Sequence, residues 1–120
     1  MQEYSLGESE FRLMEIIWEN APIPSGTLSE ICDEECGWKK TTVYTMLKRL
    51  ADKGLIKNEK AVVTYLVDRE EVQKQQSEDI VKKNFKGSLS LFVNSFLGNK
   101  SLSKDDAAKL IDMIEQHTED

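Results

Sequence analysis

Both prolines of this chain, Pro22 and Pro24, fall in a single turn, so nowhere else is the backbone barred from continuing as helix or strand. A proline inside a helix removes a backbone donor and clashes with the preceding turn; one helix must therefore stop here and the next must start beyond. Over most of the remaining chain apolar residues recur at helical spacing, which predicts a mainly α fold. A first helix is expected at about residues 8–20, with Phe11, Met14, Ile17 and Trp18 on one stripe and acidic residues opposite. Ser25 is expected to cap a second, shorter helix that carries Leu28 and Ile31 inward. That helix ends at Cys36-Gly37, where glycine accepts the left-handed conformation. Thr41 to Leu50 reads as a third helix closing at Gly54-Leu55.

In the third helix Val43, Leu47 and Leu50 repeat at i, i+4, i+7, with Met46 beside them, and this stripe must face a core. Thr41, Tyr44, Thr45 and Lys48 then face outward. Hydroxyls, one aromatic and bases on the N-terminal half of a helix suit a major-groove reader: threonines for base edges and thymine methyls, lysine for guanine or phosphate. After Gly54 the period changes. Leu55 to Lys60 and the β-branched run Ala61 to Val67 read as the two strands of a hairpin. Three short helices followed directly by a hairpin is the order of a winged helix-turn-helix.

The net charge of −6 argues on its face against a nucleic-acid partner, but the charge is unevenly placed. Residues 39–60 hold seven bases against two acids, a net of +5, which leaves −11 for the rest. The bases thus gather on the third helix and hairpin, where phosphate would be neutralised, and the acids can repel DNA from other faces. The expected DNA-binding residues are Lys39, Lys40, Thr41, Thr42, Tyr44, Thr45, Lys48 and Arg49 on the helix, with Lys57 and Lys60 on the wing.

From Asp68 onward the chain is first very polar and then apolar again, and three more helices fit, broken near Lys86-Gly87 and Gly98-Asn99. Ser103 is a good cap for the last of them, with Asp105 and Asp106 complementing its dipole. About 50 residues form too small a core to stand alone, and helices of this kind often bury themselves against a second copy. Residues 1–68 are therefore expected to form the winged-helix domain and residues 69–120 a helical dimerisation arm. Its contacts are assigned to Ile80 and Val81, to Leu89, Phe92, Val93, Phe96 and Leu97, and to Leu110, Ile111 and Ile114.

Catalysis has little to stand on. A chain of 120 residues with one histidine, His117 near its end, has no Gly-rich phosphate loop and no nucleophile with an identifiable base. Pairs such as Glu34-Glu35 and Asp105-Asp106 read as helix-end charges. No metal or cofactor is expected, since a zinc or copper site needs three or four soft or imidazole ligands. Cys32 and Cys36 lie four apart on one helix face, a poor disulfide geometry, and read as reduced structural thiols. With no apolar run long enough to span a membrane and no secretory pattern in MQEYSLGESE, no membrane insertion is expected and the location is read as cytoplasmic.

Several stretches together resemble the penicillinase repressor family, the BlaI/MecI/CopY-type transcriptional regulators. They are Leu6 to Phe11 with Glu15 to Glu19, Thr42 to Leu50 followed by Lys53-Gly54-Leu55-Ile56, Glu59-Lys60 with Tyr65, and Phe85 to Ser88 before Leu89 to Phe96. The resemblance implies a non-enzymatic homodimer whose two winged helices bind a dyad-symmetric DNA operator and repress transcription. It also implies a sensor-linked protease as a further partner, cleaving before a phenylalanine in the C-terminal helices, which by ungapped matching is Ser95-Phe96. The family usually places asparagine there; this chain has Ser95, with Asn94 one position earlier. Copper-responsive members carry a cysteine-rich C-terminal motif, and residues 69–120 contain no cysteine. Where many relatives have a basic residue in mid-helix this chain has Tyr44, and its hairpin lacks the Gly-Arg often found at the tip. The competing reading is a winged-helix protein-interaction adaptor without sequence-specific DNA binding.

Overall fold

The computed structural model describes residues 6–119; Met1 to Ser5, part of the stretch read above as lacking a secretory pattern, and Asp120 lie outside the described residues. The elements run α1 (Glu8–Asn20), β1 (Ile23–Pro24), α2 (Ser25–Cys36), α3 (Lys40–Asp52), β2 (Ile56–Glu59), β3 (Val62–Tyr65), α4 (Arg69–Asn84), α5 (Leu89–Leu97) and α6 (Lys104–Gln116). The chain is mainly helical with a small antiparallel sheet of order β1-β3-β2. Packing divides it into two units, one ending at Ile80 and the other beginning at Val81.

The first unit is built around one core. Leu13, Met14, Ile16 and Ile17 of α1, Leu28 and Cys32 of α2 and Val43, Met46, Leu47 and Leu50 of α3 are buried together with Ile23, Leu55, Ile56 and Val63 of the sheet region. At roughly 25 cal/mol per Å² of apolar surface removed from water, this core is the main force holding three short helices that would be marginal in isolation. Val72, in the first turn of α4, is fully buried in the same cluster. Trp18 donates its indole N–H to the Val67 carbonyl at 2.9 Å. The Arg69 guanidinium lies over the Trp18 ring, 5.5 Å from its centroid.

Two helix ends in this unit depend on glycine. Gly37 ends α2 with φ of 69°, its N–H bonding the Asp33 carbonyl at 2.9 Å, and Gly54 follows α3 with φ of 81°. Both are left-handed positions where a Cβ would be strained. At the start of α1 the Glu10 carboxylate reaches back to accept the Gly7 N–H at 3.1 Å, half of a capping box.

Two expectations are corrected. Ser25 is not the cap of α2: Pro24 precedes the helix, and Ser25 is its first residue, buried, with its N–H donated to the Ala61 carbonyl at 2.9 Å. The reason is the second correction, a third strand. Ile23 and Pro24 pair with Val63 and Val62, so the chain runs from sheet directly into helix and the backbone of the hairpin tip takes the place of a side-chain cap. Proline at the edge of a sheet is tolerated because the donor it lacks is one that the edge does not need.

In the second unit, Ser88 and Ser103 cap α5 and α6, accepting the N–H of Leu91 and Asp106. Phe85 meets Phe92 edge to face and Phe92 meets Phe96 at a tilt, with centroids 5.4 Å and 6.5 Å apart. Neither α5 nor α6 buries a single residue.

Candidate nucleic-acid interface

The geometry of α3 follows from its stripe. Because Val43, Met46, Leu47 and Leu50 are buried, the opposite face carries Thr41, Thr42, Thr45, Lys48 and Arg49, all exposed. Lys39 stands immediately before the helix and Lys40 begins it, both exposed, so cations flank a helix N-terminus whose free N–H groups also favour anions.

Individual side chains are less alike than the sequence pattern suggests. Thr45 donates its hydroxyl hydrogen to the Thr41 carbonyl at 2.9 Å, which leaves lone pairs and a methyl group to present outward. Such a threonine can accept from an exocyclic amine or touch a thymine methyl. Tyr44 is half-buried and packs against the core, with the Lys40 ammonium 5.5 Å from its ring centroid. Its ring therefore supports Lys40 rather than standing clear of the helix, a consequence of its position beside Val43 on the rim of the stripe.

On the hairpin, Lys60 and Ala61 form the two-residue tip, both at positive φ, 53° and 62°. Positive φ at both central residues is the requirement of a type I′ turn, whose twist matches that of the strands. Lys60 is thereby held at the extremity of the wing, exposed. Lys57 is also exposed but pairs with Glu59, its Nζ 2.8 Å from the carboxylate.

Lys53, one of the bases counted in the basic segment, is engaged elsewhere. Its ammonium bonds both oxygens of Glu10, at 3.1 and 3.0 Å, joining α1 to the end of α3. Partial burial pushes the Glu10 carboxyl upward, but the Gly7 N–H and Lys53 outweigh it and hold the group below the usual glutamate range. No sequence signal separated this lysine from its neighbours, because its partner lies 43 positions away.

The two thiols are free, Cys32 buried and Cys36 half-buried. Burial, with the nearby Cys36 and Glu35, pushes the Cys32 thiol up to about 11, which suits a core residue and not a reactive one. Among the described residues no group of three His, Cys, Asp or Glu side chains is placed to hold a metal ion. None of the described helices is long and apolar enough to cross a membrane.

The residues assigned to the arm are brought to the surface. Leu89, Val93, Phe96, Leu110, Ile111 and Ile114 are exposed, as is Ile80, while Val81, Phe92 and Leu97 are half-buried. Leu91, Leu102 and Met113 are also exposed, though the sequence reading did not assign them to the arm. The signal for Leu91 and Met113 was an apolar face wider than the single i, i+3, i+4 stripe used to find the others. Ser95 and Phe96 lie in the last turn of α5, both exposed.

A winged-helix topology, a helix with one buried and one basic face, and an apolar C-terminal surface now stand together, and the sequence profile described as penicillinase repressor matches residues 6–116. The chain belongs to the penicillinase repressor family. It is 26% identical over 116 residues to the penicillinase repressor of Bacillus licheniformis, covering 93% of this chain and 91% of that one. It is 25% identical over 115 residues to the methicillin resistance regulatory protein MecI of Mammaliicoccus sciuri, covering 92% and 94%. The MecI protein of Staphylococcus aureus strain N315 matches to the same extent. A solution structure of monomeric Bacillus licheniformis BlaI in complex with the blaP half-operator superimposes with a TM-score of 0.49 at 26% identity, over 55% of this chain and 85% of that one.

Proposed function

We propose that this protein is an operator-binding transcriptional repressor that acts as a homodimer. The observation that carries the reading is the exposed face of α3, with Lys39, Lys40, Thr41, Thr45 and Lys48 on a helix whose opposite face is locked into the core, in a chain of a repressor family. Related proteins bear the names penicillinase repressor and methicillin resistance regulatory protein.

In this reading α3 enters the major groove, the two threonines meet base edges, and Lys39, Lys40, Lys48, Arg49 and the wing-tip Lys60 meet phosphates, with Lys57 beside them on the wing. One such module discriminates only a few base pairs, so useful specificity needs two half-sites, with centres ~34–36 Å apart or a multiple of that. Residues 69–120 supply the link through the apolar surface of α5 and α6. Linking raises the effective concentration of the second module, so separating the copies weakens operator binding without touching a DNA contact. Cleavage at Ser95-Phe96 by a sensor-linked protease would relieve repression by that route, and repression itself is steric exclusion of polymerase. A repressor of this kind works in the cytoplasm.

Selection from a random duplex library with the intact chain tests the reading. Enrichment of an inverted repeat is expected, lost in the Thr45→Ala/Lys48→Ala double variant, with binding that weakens steeply as salt rises. If no sequence is enriched while the chain still captures a protein partner independently of salt, the adaptor reading replaces it.

A further inference from the structure

Within the four residues Lys57 to Lys60 the wing carries two cations and one anion, Glu59. Lys57 and Glu59 are two apart on β2, so they project from the same face of the strand, opposite the buried Ile56. β2 is an outer strand of the sheet, both side chains are exposed, and the ammonium and carboxylate are 2.8 Å apart.

This pair differs from the other ion pairs of the first unit. Glu10–Lys53 ties α1 to the end of α3, Arg12–Glu35 ties α1 to α2 and Glu19–Arg69 ties α1 to α4, whereas Lys57–Glu59 joins neighbours on a single strand whose shape the hairpin already fixes. An exposed pair of this kind contributes little to stability. Its charge arrangement nevertheless matters to anything anionic that approaches the wing.

We propose that Glu59 limits the affinity of the wing for DNA by holding the Lys57 ammonium that would otherwise contact a backbone phosphate. The inference rests on the DNA-binding reading above and adds to it a residue that opposes binding. A lysine paired with a carboxylate brings no net charge to the duplex, so it releases no counterion, and the carboxylate itself repels the phosphates. The hydrogen bond to Glu59 and its charge raise the Lys57 ammonium above the ordinary lysine range, so the lysine stays charged throughout. Phosphate contacts carry no sequence information, so Glu59 weakens the grip on operator and random DNA alike and shortens residence on both. Specificity then falls to α3, whose Thr41 and Thr45 can meet base edges.

The test measures binding of the full chain to a fluorescein-labelled duplex of random sequence across a range of potassium chloride concentrations. The proteins are the wild type, Glu59→Gln, Lys57→Gln and the double variant, each checked for unchanged circular dichroism. Glu59→Gln is expected to bind about three- to tenfold tighter at low salt and to steepen the log–log salt slope by about 0.9, the increment of one added phosphate contact. Lys57→Gln is expected to bind more weakly than the wild type, and the double variant to return to it, because the net charge of the pair is again zero. A Glu59→Gln protein that matches the wild type in affinity and slope overturns the inference and leaves the DNA reading standing. Failure of the wild type to bind any duplex at any salt overturns both.

Discussion

The two units use similar apolar patterns to opposite effect. In the first, α1, α2 and α3 turn their stripes toward one another and toward the sheet, and Leu13, Leu28, Val43 and Leu50 reach zero exposure. In the second, α5 and α6 have equally well-formed stripes, yet Leu89 remains 64% exposed, Phe96 62% and Ile114 62%. Helical periodicity therefore says which face of a helix wants cover and nothing about where the cover comes from. The sheet makes the difference: β1, β2 and β3 close the core of the first unit, and the second has no strand among the described residues. Exposed apolar side chains gathered on α5 and α6 are what the proposed homodimer would cover.

The sharpest way to break the comparison is to truncate one stripe residue in each unit. Leu50→Ala should cost about 2–5 kcal/mol in chemical denaturation, the range for emptying a closed core. Phe96→Ser should leave hydrogen-exchange protection of Val43 and Leu47 unchanged while weakening self-association at least about tenfold by sedimentation, as for an interface anchor. Equal loss of core protection in both variants would erase the distinction.

A smaller effect is expected at the Glu10–Lys53 link, which belongs to the closed unit alone. The Glu10 carboxyl is depressed in the folded chain, so its contribution is present above the unfolded value and lost as pH falls through the lower folded one. Glu10→Gln should therefore cost about 1 kcal/mol at neutral pH, a typical value for a charge-assisted bond in partial contact with solvent. The difference from wild type should shrink steadily in denaturation series taken below about pH 4. The smallest change is a gain: Ala61→Gly, at a position with φ of 62°, should raise stability by about 0.5–1 kcal/mol in thermal unfolding. Tight turns of this type favour glycine there, and the Ala61 carbonyl that accepts from Ser25 is retained.

Much of this was legible in the sequence, though unevenly. Helix positions and the buried face of α3 followed from spacing because a stripe of Val43, Leu47 and Leu50 admits no other orientation once the segment is helical. The end of α2 followed from Gly37. β1 was not legible: Ile23-Pro24 is two residues long and is a strand only because β3 lies beside it. The same partner displaced Ser25 from the cap it would occupy in an isolated helix. At the candidate interface the sequence located the bases but not their engagements, since the roles of Lys53 and Lys57 depend on where Glu10 and Glu59 lie.

By itself, then, the sequence determined the local order of this protein: where helices start and stop, which faces are apolar, where positive charge collects, and that a hairpin follows the third helix. These are set by interactions reaching only a few residues along the chain, namely proline and glycine sterics, hydrophobic period and capping. The tertiary structure alone decided which of those apolar faces is satisfied within the chain, which lysines remain available to an anion, and that Tyr44 leans on the core beneath Lys40. Apart from the Lys57–Glu59 pair, which one strand sets two residues apart, those outcomes depend on residues brought together from distant positions, and the distance between two side chains in space is not a function of their separation in sequence.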